Sequence, residues 1–208
     1  MIRRKIIMIG SGGHAISCAD IIEESGSYKI VGIVTEEGDH NQSRLKYKRL
    51  GSDSDLEALA SKYKYAFIGL GQIKAPEIRR TLFQIVKDLD FSLPSIISKD
   101  SLVSHKATIG AGTIVMKGAI VNSGAVIGEN CIINSGAIIE HGVVIQENCH
   151  ISTGAVVNGD VNVGLGSFLG SGSCIKEGTT IGNYVVVGMG VNVRRNLHSN
   201  ETFLGTPK

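Results

Sequence analysis

The side chains of this 208-residue chain best suited to moving a proton are the histidines of Ile139-Glu140-His141-Gly142 and Cys149-His150-Ile151. A neutral imidazole can take a proton from a hydroxyl or an ammonium near pH 7 and so activate a nucleophile. A different chemistry is offered near the start, in Gly10-Ser11-Gly12-Gly13-His14-Ala15. Gly10, Gly12 and Ala15 satisfy the pattern G-x-G-x-x-G/A between an expected strand and an expected helix, and backbone N–H groups at such a turn can hold a phosphate or sugar anion. The alternative, a turn with a packing role alone, stays open. A full dinucleotide fold needs about twice the residues available before residue 96, so NAD is not expected.

The elements that must position the histidines follow from one period. Sixteen aliphatic residues stand six apart without a miss, from Val103, Ile109 and Val115 to Val187 and Val193. Two residues before each sits a second inward position, small at Ala107, Cys131 and Ala137 and larger at Val185 and Val191. A helix repeats at 3.6 residues and a strand at 2, so a sustained 6 marks a hexapeptide β-helix. In a coil of three short strands every sixth residue is equivalent, large aliphatics fill the interior, and Gly and Asn supply the corners. The register points Ile139 inward and Glu140 outward, which leaves His141 at the surface. His150 lies half a coil away, so the two histidines cannot readily meet on one prism. Side-by-side prisms in a closed ring could bring them together, which makes a trimer part of the functional reading.

Upstream, Lys5 to Gly10 reads as a buried strand, the glycine turn leads into a helix through Glu24, and Lys29 to Val34 reads as a second strand. Thr35 to Arg49 reads as a polar loop, Asp53 as the cap of a short helix, Tyr65 to Leu70 as a third strand, Pro76 to Leu89 as a helix, and Leu93 to Ile97 as a final strand and link. The alternation predicts a small Rossmann-like parallel α/β sheet over residues 1–95, followed by an all-β parallel β-helix over 96–208, with coils ending near Val193.

Composition excludes several classes. A net charge of +2 with no basic face argues against nucleic acid and anionic membranes, and no apolar stretch is long enough to span a bilayer. The N-terminus runs into a strand rather than a signal peptide, so a cytoplasmic location is expected. Cys18, Cys131, Cys149 and Cys174 show no CxxC spacing, and Cys131 and Cys149, one coil apart, read as stacked, reduced core residues. No close histidine pair is present and no metal is expected. His40, His105 and His198 read as surface residues.

The domain order, the turn Ile9-Gly-Ser-Gly-Gly-His14, the run Ile133-Asn134-Ser135-Gly136-Ala137-Ile138-Ile139-Glu140-His141, the run His150-Ile-Ser-Thr-Gly154 and the ending Gly205-Thr-Pro-Lys208 resemble the NeuD/PglD family of bacterial sugar acetyltransferases. The resemblance implies a left-handed β-helix and a homotrimer with active sites between subunits. It further implies acetyl-CoA as co-substrate and a sialic-acid-type sugar or a UDP-linked amino sugar as acceptor. Carried onto this chain, it implies His141 as general base assisted by Asn134 and Glu140, and His150 near the thioester. CoA would lie along Gly159, Ser171, Gly188 and Met189, with its phosphates near Arg194 and Arg195. At the N-terminal turn Gly10, Gly12, Gly13 and His14 would meet the sugar ligand.

Two departures bear on the acceptor. Family members acting on UDP-amino sugars resemble one another in an acidic residue directly after the catalytic histidine, where this chain has Gly142, and in an acidic pair after the second strand, where it has Thr35-Glu36. Both tilt the expectation toward O-acetylation of a nonulosonic sugar by direct transfer, with an oxyanion donor near Gly159. N-acetylation of a UDP-4-amino sugar is the alternative, and a trimeric scaffold with a ligand-sensing domain is the non-enzymatic one.

Overall fold

The computed structural model describes residues 3–39, 42–72 and 76–205. The chain divides into two compact units, Met1–Lys99 and Asp100–Lys208.

In the first unit, β1 (Arg4–Ile9), α1 (Gly13–Ser25), β2 (Tyr28–Val34), α2 (Gln42–Leu45), β3 (Arg49–Gly51), α3 (Leu56–Ala60), β4 (Tyr65–Ile68) and α4 (Pro76–Asp88) follow in order. The strands form one sheet in the order β3-β2-β1-β4, and every pairing is parallel. Ile6, Ile7, Met8 and Ile9 are buried in succession, as a strand covered on both faces requires. Ile7, Ile9, Val34, Leu56, Ile68, Leu82 and Phe83 share a core. Gly26 ends α1 in the left-handed region at φ 71°, where glycine carries no Cβ penalty.

Several sequence expectations are corrected here. The Thr35–Arg49 segment holds the short helix α2, where its charged composition suggested only loop. Ser52 is the N-cap of a 3-10 turn, Asp53–Asp55, that leads into α3, and its N–H donates to Asp55 Oδ2 at 2.8 Å. Asp53 instead lies inside that turn. The strand expected over Leu93–Ile97 is confined to Ile96–Ile97.

The second unit is a parallel β-helix with three faces. Thr108–Ile109, Val126–Ile127, Val144–Ile145, Asn162–Val163 and Thr180–Ile181 stack on the first. The second carries Ile114–Val115, Ile132–Ile133, His150–Ile151, Phe168–Leu169, Val186–Val187 and Thr202–Phe203. The third carries Leu102–Val103, Ile120–Val121, Ile138–Ile139, Val156–Val157, Cys174–Ile175 and Asn192–Val193. Residues 18 apart pair within each face, as Ile132 does with His150 and Ile138 with Val156. The sixth-residue aliphatics from Val115 to Val193 are buried in one column with Cys131, Ala137, Cys149 and Val161. From Gly112 to Gly190 every sixth residue turns a corner with φ between 55° and 77°, and the non-glycine occupants are Asn130, Asn148, Asp160 and Tyr184.

The coils do not stop at Val193. Ile181 bridges to Leu197, and Val187 pairs with Phe203. Both partners are 16 residues on rather than 18, so the final coil has lost two residues between Val193 and Leu197. The six-residue register then resumes, shifted, in the segment expected to be a tail. Thr206, Pro207 and Lys208 lie outside the described residues, as does His40, while His105 and His198 are exposed. Among the described residues no helix is long and apolar enough to cross a membrane.

Candidate active site

His141 follows the third-face strand Ile138–Ile139 and sits, exposed, on the corner where that face ends. Its imidazole lies on the next coil's Gly159. A β-carbon built at Gly159 would be 2.6 Å from Cε1 and 2.8 Å from Nε2 of the ring. Gly159 is therefore the residue that gives the ring its place, and φ there is not positive. Gly159 is buried, and among the described residues its N–H donates no backbone hydrogen bond. Glu140, the preceding residue, accepts a hydrogen bond from Asn122 Nδ2 at 2.9 Å, one coil below. The neighbouring corner residue completes the arrangement: Asp160 N–H donates to the His141 carbonyl at 3.0 Å, and its carboxylate lies over Gly142.

Asn134 belongs to a different group. Its Oδ1 accepts the Ser135 N–H at 2.8 Å, so its Nδ2 is the atom that faces His150 Nε2 at 3.2 Å. With an N–H aimed at it, Nε2 acts as acceptor and the ring proton sits on Nδ1. His150 is 4% exposed and meets Phe168 edge-on, with ring centroids 5.1 Å apart. The structure thus joins Asn134 to His150, two residues to which the family resemblance gave separate roles, and pairs His141 with Gly159. It does not bring His141 and His150 together within one chain.

The remaining cofactor candidates border the same third face on its opposite edge. Ser171 and Met189 stack there above Ser135 and Thr153, and Ser171 Oγ lies 2.9 Å from Ser152 Oγ. Gly188 is packed beneath the terminal strand, its N–H donating to Phe203 O at 2.9 Å. Met189 is 82% exposed and lines a groove of about 800 Å³ with Arg194, Arg195 and Leu204. A second groove, of about 490 Å³, runs up the His141 edge along Asn158, Lys176 and Arg194. Arg194 lines both. Arg195 is engaged otherwise, in an ion pair of 2.6 Å with Glu201 and over the ring of Phe203. Sequence reasoning missed Lys176, although Glu140, Asn158, Lys176 and Arg194 recur at 18 residues and so form one column beside the base.

At the N-terminal turn, α1 begins at Gly13 with Gly12 as N-cap and no side-chain cap. A β-carbon at Gly12 or Gly13 would meet nothing within 4 Å, so the helix N-terminus faces open space. Gly10 is held tightly, since a β-carbon there would be 2.6 Å from Leu70 Cδ1. His14 packs its Cβ toward Gly71. Thr35 lies at the end of β2, where its Oγ1 donates to Asp39 Oδ2 at 2.7 Å and Ser11 Oγ donates to the same oxygen. Asp39 was not foreseen; it lies in the polar loop four residues after Thr35. Glu36 is exposed, and burial together with the Glu36 charge pushes the Asp53 carboxyl above its usual range. Among the described residues no group of three His, Cys, Asp or Glu side chains is arranged to hold a metal ion.

Residues 5–86 match the PglD N-terminal domain, residues 106–141 and 124–159 match the bacterial transferase hexapeptide of six repeats, and residues 160–195 match the hexapeptide repeat of succinyl-transferase. No curated protein sequence matches the chain. Among solved structures, PerB from Caulobacter crescentus in complex with CoA and GDP-perosamine is similar at 30% identity, over 93% of this chain and 90% of that one, with a TM-score of 0.87. The acetyltransferase domain of PglB from Neisseria gonorrhoeae in complex with acetyl coenzyme A is similar at 30% identity, over 96% and 95%, with a TM-score of 0.86. WeeI from Acinetobacter baumannii shares the fold at 19% identity, with a TM-score of 0.85. With relatives of this identity spanning nearly the whole of both units, and with hexapeptide coils of the left-handed type following a PglD-like domain, the chain belongs to the NeuD/PglD family of sugar acetyltransferases.

Proposed function

We propose that this enzyme transfers the acetyl group of acetyl-CoA directly to the amino group of a nucleotide-linked amino sugar, with His141 as general base. The observation that carries the reading is the His141 imidazole seated against Gly159, whose N–H donates to no backbone carbonyl among the described residues. As the acceptor nitrogen attacks the thioester carbonyl, His141 takes its proton and the Gly159 N–H supports the oxyanion. The N–C bond forms, the C–S bond breaks, and the proton held by His141 passes to the departing thiolate. Lys176 and Arg194, up the same edge, suit the phosphates of CoA. The uncapped N-terminus of α1 suits the diphosphate of the acceptor. The similar structures hold CoA, acetyl coenzyme A and GDP-perosamine, which supports both ligand classes.

A homotrimer with sites at its seams belongs to this reading. The third face carries an outward ladder of Leu102, Ile120, Ile138, Val156 and Cys174, with Leu102 69% exposed. His141 and Gly159 border that face on one edge, and Ser171 and Met189 on the other. A copy of the chain laid against the ladder would enclose both edges. Such an enzyme would work in the cytoplasm, where acetyl-CoA is made.

Gly142, directly after the base, favours a second reading, O-acetylation of a sialic-acid-type sugar. Acetyl-CoA turnover against GDP-perosamine, a UDP-4-amino sugar and CMP-sialic acid separates the two. His141→Ala is expected to lower turnover of the accepted sugar by about 10²- to 10⁴-fold. A loss below fivefold in a folded variant would refute the role given to His141.

A further inference from the structure

We infer that Asp160 is the acceptor-selecting residue of this site, a carboxylate placed beside His141 to receive the ammonium form of an amino-sugar acceptor. The inference rests on the acetyltransferase reading above and adds to it a residue and a substrate preference.

The geometry is reciprocal. Residues 141–142 and 159–160 occupy the same corner on successive coils. The His141 ring lies on the Cα of Gly159, while the Asp160 carboxylate fills the space over the Cα of Gly142; a β-carbon at 142 would collide with Asp160 Oδ1. The two glycines each surrender their side-chain space to the neighbouring coil, which seats the base and the carboxylate at one corner. Asp160 is exposed, so the carboxylate is open to a ligand that reaches His141.

The fold does not require a charge there. Among the corner residues with positive φ, most are glycine, and Tyr184 and Asn148 also set their side chains against the preceding coil. Tyr184 covers Gly166, and Asn148 Oδ1 accepts from Asn130 Nδ2 at 2.8 Å. Glycine or asparagine would serve the left-handed corner at 160 with less or equal strain. Aspartate takes this left-handed corner readily, so folding alone does not select a carboxylate over glycine or asparagine on the corner next to that of His141.

Charge supplies a reason. An amine acceptor is mostly ammonium at neutral pH and must lose a proton before its nitrogen can attack. A carboxylate at the corner binds that cation and aims it at the imidazole; a hydroxyl acceptor gains only a neutral hydrogen bond. One proton leaves the ammonium for solvent, a second passes through His141 to the thiolate, and the products are the amide and CoA thiol.

The test uses purified full-length protein, acetyl-CoA, the amine acceptors GDP-perosamine and a UDP-4-amino sugar, and the hydroxyl acceptor CMP-sialic acid. Asp160→Asn keeps shape and corner conformation, and Gly142→Ala pushes the carboxylate aside without removing it. Both are expected to lose about 10- to 100-fold in kcat/KM toward the amine, the gap between a charged and a neutral partner. The KM for acetyl-CoA and the Tm of Asp160→Asn should stay unchanged. An Asp160→Asn variant within twofold of the wild type on the amine overturns the assignment, as does an equal loss in acetyl-CoA hydrolysis without acceptor, which marks general damage. Wild-type protein active on CMP-sialic acid but not on the amines overturns it too. Wild-type protein inert toward every acceptor sinks the underlying acetyltransfer reading with it.

Discussion

The His141 imidazole rests on the bare Cα of Gly159, with no room between them for a methyl group. Because φ at Gly159 is not positive, alanine is tolerated by the backbone and conflicts with the ring alone. Gly159→Ala should therefore fold with an unchanged Tm while swinging the imidazole out of its seat on this coil. A displacement of about 1 Å costs on the order of 10²-fold in turnover. Steady-state kinetics beside circular dichroism check this; an alanine variant with normal kcat would mean the ring works elsewhere.

Thiol accessibility offers a second check. Burial pushes the Cys18 thiol up to about 12, against the opposing pull of Arg79, and burial with the neighbouring Cys131 also raises Cys149. Cys131 accepts the Cys149 N–H at 3.4 Å inside the column. All four cysteines are free, but only Cys174 is partly exposed. Titration of the native protein with a chromogenic disulfide at pH 8 should find at most one reactive thiol per chain, Cys174, slowed where a copy of the chain covers the third face, and release the rest in guanidinium. Rapid reaction of more than one would contradict the packing.

The prism was legible because its core is periodic. An inward residue every sixth position leaves the same mark in sequence and in space, and every expected aliphatic from Val115 to Val193 is buried. The last coil was lost to a two-residue deletion, which shifts the phase so that Leu197 and Phe203 no longer fall on the template. Site geometry was less legible, because it depends on side chains one coil apart. His141 is named by its chemistry, whereas Asp160 and Lys176 stand out only when the chain is folded into columns of 18. The Asn134–His150 pair is hidden for the same reason: the residues are 16 apart and on adjacent coils.

Arg79 braces the loop after β4 in the first unit. It is 0% exposed, and its Nη1 donates to the carbonyls of Ile68 and Leu70 at 2.7 Å each. Leu70 in turn presses on Gly10. Arg79→Met fills much of the volume but leaves the buried Ile68 carbonyl and the partly buried Leu70 carbonyl without that donor, at a cost of about 2 to 4 kcal/mol. Urea denaturation should show the loss, and nucleotide-sugar KM should rise as the loop after β4 loosens against the glycine turn. A stability change below about 0.5 kcal/mol would mean that water replaces the guanidinium, a surface-like outcome.

Adjacent residues of one two-residue strand give the sharpest contrast. Ile139 points inward and is 0% exposed, stacked between Val121 and Val157, whereas Ile138 points outward between Ile120 and Val156. Ile139→Asp removes an apolar burial worth roughly 1.5 to 3 kcal/mol and places a carboxylate where nothing can solvate it. The coils around it should fail to form, and Ile139→Val should cost only about 0.5 to 1.5 kcal/mol. Ile138→Asp meets solvent in the isolated chain and should leave the coils folded. If the third face is where copies of the chain meet, that same change buries an unpaired charge in each seam. Sedimentation equilibrium should then report a folded monomer with little activity, because each site would lack its neighbouring prism. A fully active, associated Ile138→Asp protein would move the interface to another face.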